Sequence, residues 1–106
     1  MAITLVTDST FKSQVTDNLL PVIVEWWADW SEDNKVIAPY LEELSELKKE
    51  AIKIVRIDID KNPSLVATYN IREIPNLFLF KNGQKEFTKK KNLTKASITQ
   101  WVIENI

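Results

Sequence analysis

The side chains in this sequence that could do chemistry are few in kind, because its 106 residues include no cysteine and no histidine. That double absence excludes disulfides, thiolate nucleophiles, zinc sites built on sulfur or imidazole, and histidine acid/base catalysis. What remains is carboxylates, lysines and four tryptophans. The densest group is Asp29-Trp30-Ser31-Glu32-Asp33-Asn34-Lys35. Ser31 is a good helix N-cap, and Glu32 and Asp33 would face the positive end of the helix dipole, each worth about 0.3–1 kcal/mol when exposed. The other reading is a hard-cation site on Asp29, Glu32 and Asp33, since oxygen ligands suit Ca²⁺ or Mg²⁺. Their spacing is not that of an EF-hand and no glycine turn accompanies them, so no metal or other cofactor is expected. Ser31 as a hydrolytic nucleophile fails for want of a histidine to activate it.

A second candidate is Glu25, within Val22-Ile23-Val24-Glu25-Trp26-Trp27, a segment otherwise apolar on both faces and so suited to the middle of a sheet. A lone charge there would be costly. Arg56, on the adjacent strand, is the natural partner, and the two are expected to form a partly buried structural pair.

The elements that must position these groups follow from the periodicity. Residues 3–6 read as a short strand, and Asp8-Ser9-Thr10 offers an N-cap for a helix ending near Asn18-Leu19. Between residues 35 and 49, Val36, Ile37, Tyr40, Leu41, Leu44 and Leu47 recur at three- and four-residue intervals, an amphipathic helix kinked by Pro39. Residues 52–59 read as a strand, and Asn62-Pro63 starts a short helix to about Asn70. Leu77-Phe78-Leu79-Phe80 leads into Asn82-Gly83, a hairpin signal, with residues 85–90 as the returning strand. A last helix from Lys95 places Ile98, Trp101, Val102 and Ile106 on one stripe. The order β-α-β-α-β-α-β-β-α implies an α/β fold: a central mixed five-stranded sheet flanked by four helices, in one domain spanning residues 1–106.

Charge narrows the partners. The net charge is −1, which gives no overall attraction to nucleic acid or to an anionic membrane. Residues 25–60 nevertheless carry ten acids against five bases, and residues 81–95 carry six lysines against Glu86 alone. Lys89-Lys90-Lys91 reads as a solvated edge strand, where lysine blocks edge-to-edge pairing. The opening residues lack a basic region followed by a long apolar one, so a cytoplasmic, monomeric protein is expected.

Several segments together resemble the thioredoxin family: residues 24–30 with Lys35, Ala38-Pro39, residues 57–63, Tyr69-Asn70-Ile71-Arg72-Glu73-Ile74-Pro75 and Phe80-Lys81-Asn82-Gly83. They stand in that family's order and spacing across nearly the whole chain. The resemblance implies a thioredoxin fold, a cis bond at Ile74-Pro75, and a peptide groove beside it. It also locates what is missing. Thioredoxins carry Trp-Cys-Gly-Pro-Cys-Lys where this chain has Trp30-Ser31-Glu32-Asp33-Asn34-Lys35. Disulfide exchange needs thiolate attack on sulfur, so the family's activity is not implied for this chain and an enzyme is not expected. By the same resemblance Glu25 stands where the family has a buried aspartate. Asn76 replaces the threonine common after the cis proline, and Lys91, beside Asn92, replaces a groove glycine.

The expected function is therefore a redox-inactive module that holds a protein or extended peptide through Trp27, Trp30, Ile74, Pro75, Lys91 and Asn92. Trp26 and Trp101 are expected in the core and Trp30 at the surface. Two alternatives are an oxidoreductase by lineage whose active-site loop was replaced, naturally or by engineering, and the carboxylate metal site.

Overall fold

A computed structural model describes residues 3–106. Five strands form one sheet in the order β1-β3-β2-β4-β5, where β1 is Thr4–Leu5, β2 Val22–Trp27, β3 Lys53–Asp58, β4 Asn76–Lys81 and β5 Gln84–Lys89. β1 and β2 run parallel to β3, whereas β4 runs antiparallel to both β2 and β5, so the sheet is mixed. The helices are a short π-helix, Lys12–Thr16, then α1, Glu32–Leu47, α2, Pro63–Thr68, and α3, Lys95–Asn105.

β2 lies at the centre because both of its faces are apolar, and each face meets its own core. On one side Ile23, Leu77 and Leu79 pack with Ile37, Leu41 and Leu44 of α1 and Ile98 and Val102 of α3. On the other, Val24, Trp26, Phe78 and Phe80 pack with Phe11, Val15 and Leu65. Tyr69 stacks into that second core, its ring 5.6–6.0 Å from those of Phe11, Trp26, Phe78 and Phe80.

Some expectations need correcting. The first helix is far shorter than residues 10–19, and its start has no side-chain cap. Thr10 is otherwise engaged, its Oγ1 accepting the Thr7 N–H, while the Asp8 carboxylate reaches across to accept the Leu65 N–H at the start of α2. Pro39 lies inside α1, as expected. Val36 and Leu47 are exposed because the apolar stripe of α1 narrows to Ile37, Leu41 and Leu44. Ile106, just past α3, is exposed, and Trp101 within it is only partly buried, packed against the edge of the core.

The β4–β5 hairpin turns on Asn82 and Gly83, with φ of 55° and 80°, the two positive values a type I′ turn requires. A Cβ on Gly83 would lie 2.7 Å from the Thr16 carbonyl oxygen. Gly83→Ala is therefore expected to cost more than the ~1–2 kcal/mol of left-handed strain alone, read as a lower urea midpoint.

Candidate functional site

The centre of the site is built where β2 ends and α1 begins. Ser31 caps α1: its Oγ accepts the Asn34 N–H at 3.2 Å, and Glu32 and Asp33 fill the first turn. Ser31 is itself buried, so its hydroxyl serves the helix. One turn on, the Asn34 amide points inward, donating to Glu25 Oε2 at 2.8 Å and to the Trp26 carbonyl at 3.2 Å.

Glu25 is completely buried. Strand register sets Glu25 directly opposite Arg56 on β3, and Arg56 Nε donates to Glu25 Oε1 at 2.8 Å. The guanidinium also lies 4.0 Å from the centre of the Trp27 ring, a cation–π contact. Burial raises the pKa of the Glu25 carboxyl above its ordinary value, opposed by the charge of Arg56 and the hydrogen bond from Asn34. Arg56, Asn34 and Glu25 thus form one network, with Asn34 supplying a donor that sequence reasoning missed. The available signal was an amide one turn inside a helix that starts directly after a strand bearing a buried acid.

Across α1 lies a separate groove. The Ile74–Pro75 bond is cis, and Pro75 lines a cavity of about 280 Å³ with Val36, Ile37 and Leu93 as its apolar neighbours and Asp33, Lys90 and Asn92 as its polar ones. The left-handed backbone in the following loop falls on Asn92, with φ of 55°, rather than on Lys91; asparagine adopts that region several-fold more readily than most other side chains do. Lys90, not Lys91, reaches the cavity, and its ammonium pairs with Glu73 at 3.3 Å.

Besides Lys91, three of the expected binding residues are not gathered there: Trp27, Trp30 and Ile74, the last partly buried against the second core. Trp27 belongs to another cavity, of about 420 Å³, together with Asn34 and Arg56. Trp30 is 64% exposed, and its indole N–H donates to Asp60 at 2.9 Å. It stands at the surface as expected, outside the lining of the Pro75 cavity. The three carboxylates of the metal alternative also diverge: Asp29 faces the Trp27 cavity, Asp33 the Pro75 cavity, and Glu32 pairs with Lys35 at 3.1 Å. Among the described residues no group of three or more acids is placed to hold a metal ion.

Comparison with known proteins decides the family. The family model for thioredoxin matches residues 2–104. The chain belongs to the thioredoxin family. It is 40% identical over 101 residues to the thioredoxin of Rickettsia felis, an alignment covering 95% of this chain and 96% of that one. It is 41% identical over 85 residues to the thioredoxin of Pyropia yezoensis, covering 80% and 79% of the two chains, and 44% identical over 80 residues to thioredoxin 1 of a Nostoc species, covering 76% and 75%. Within this thioredoxin frame the chain has no cysteine. Its helix cap and its buried acid are bound to nitrogen donors where thiol chemistry would need sulfur. No helix among the described residues is long and apolar enough to cross a membrane.

Proposed function

We propose that this thioredoxin-family chain is redox-inactive and holds a protein or an extended peptide segment at the Pro75 groove. The observation carrying this reading is the pairing of an open cavity of mixed apolar and polar lining at Pro75 with an adjacent loop that has lost both sulfurs. A segment laid across Pro75 would meet Val36, Ile37 and Leu93, with Asp33 and Lys90 available to its polar groups. That is recognition by an extended backbone, in which main-chain hydrogen bonds supply affinity and side-chain pockets supply selectivity. Trp30, the Ser31-Glu32-Asp33-Asn34 loop and Lys91 would extend the contact beyond the cavity, as exposed aromatic and charged groups at an interface do. Such a module acts in the cytoplasm as a monomer until it meets its partner.

The test compares proteins retained by the immobilised wild type with those retained by Pro75→Ala and Trp30→Ala. Both variants are expected to lose the specific bands while keeping the wild-type circular dichroism spectrum. Equal recovery by all three proteins would remove the reading.

A further inference from the structure

β5 ends the sheet, so among the described residues no strand neighbours one side of its backbone. The strand is almost wholly exposed. Its charge is one-sided, because residues 81–95 hold six lysines and a single acid, Glu86. Three of those lysines are already engaged: Lys81 donates to the Asn105 carbonyl, Lys90 pairs with Glu73, and Lys95 pairs with Glu43. Lys85, Lys89 and Lys91 form no ion pair among the described residues.

The register determines where these charges point. Phe87 pairs with Leu79 and Lys85 with Phe80, which leaves Glu86 as the extra residue of a bulge. Directly paired residues share a face of the sheet. Lys85, opposite Phe80, therefore lies on the second core's side, where its ammonium sits 4.9 Å from the Phe78 ring centre. Phe87 and Lys89, opposite Leu79 and Leu77, lie on the other side. The edge thus presents a lysine on each face and one partly exposed aromatic ring, Phe87.

We propose that β5 is a docking edge for an extended acidic segment of another protein, which adds as a sixth strand. Because successive residues of a strand point to opposite faces, acids matching Lys85 and Lys89 must stand at an odd separation, three residues apart in the register that β4 keeps with β5, with an apolar residue between them set against Phe87. A second copy of this chain is the wrong occupant. Its β5 would bring lysine against lysine, and like charges opposite one another across a ladder are unfavourable. The edge is distinct from the Pro75 groove, so either site can fail without the other.

The probe is a synthetic peptide of consecutive glutamates interrupted by one valine, with a lysine-for-glutamate version as its control. Titrations use the full-length ¹⁵N-labelled protein at low salt. The expected result is binding of the acidic peptide alone, amide shifts concentrated on residues 84–89, and an affinity that falls about tenfold or more with added salt. Lys85→Glu/Lys89→Glu should abolish that binding and acquire binding of the lysine peptide. The proposal is overturned by any of three results: no binding of the acidic peptide, shifts centred away from β5, or equal binding by the charge-reversed variant.

Discussion

Arg56→Ala is expected to lower the unfolding free energy by about 3 kcal/mol at neutral pH, because it leaves the buried carboxylate of Glu25 without its cation. The figure is at the low end for a broken buried pair, since the Arg56 side chain keeps 21% of its surface in solvent. Asn34 still donates to Glu25 in the variant, but one neutral amide does not replace a charge. The pH dependence separates this cause from the lost packing on Trp27. Burial raises the Glu25 pKa in the folded protein, so the folded state holds the proton more tightly than the unfolded chain does. Stability from this group is therefore fully present below the ordinary glutamate value and is lost as pH rises through the folded one. Removing Arg56 takes away an influence that opposes the rise, which widens that window. Urea midpoints should consequently show a deficit that is small near pH 4 and grows toward neutrality, and Glu25→Gln in the Arg56→Ala background should recover part of it. A deficit independent of pH would assign Arg56 to packing on Trp27 instead.

The second large effect is a gain. Ser31→Cys with Asn34→Cys should convert the unmodified chain's background in an insulin-reduction assay driven by dithiothreitol into clear turnover. The two positions bracket the first turn of α1 at the three-residue spacing of the family's motif. A thiol at position 31 would take the place of the N-cap oxygen, where the helix dipole favours the thiolate. A thiol at position 34 would sit in the buried space beside Glu25. Glu32 and Asp33 work against this, because adjacent negative charge favours the neutral thiol. Adding Glu32→Gly and Asp33→Pro should therefore raise the rate further. Oxidation should remove two hydrogens from the mass of the double variant and none from either single one. A folded double variant that forms no internal disulfide would mean that this loop no longer has the family's geometry.

Much of this was legible in the residues themselves. The apolar run around Glu25 placed β2 at the centre of the sheet, and Asn82-Gly83 placed the hairpin, because both signals depend on local backbone chemistry. The missing sulfurs were visible because composition needs no structure. What eluded the sequence was set by tertiary contact. Asn34 reads as a helix residue until β2 is known to deliver Glu25 beneath it. Asp8 reads as the cap of its own segment, yet it serves α2, 57 positions away. Trp27 reads as a companion of Pro75 until the strand direction turns it under Arg56. At the groove Lys90 stands beside the expected Asn92 in place of the expected Lys91, because which lysine of the run faces the cavity is set by the backbone after β5, which spacing alone does not reveal.

The central claim is that this thioredoxin fold has kept a groove and given up disulfide exchange. Its most direct test is insulin reduction by the unmodified chain, with dithiothreitol as electron donor and a cysteine-containing thioredoxin as positive control. The account predicts that precipitation of insulin follows the protein-free blank at every concentration of the chain. Acceleration that rises in proportion to the amount of chain added would contradict it.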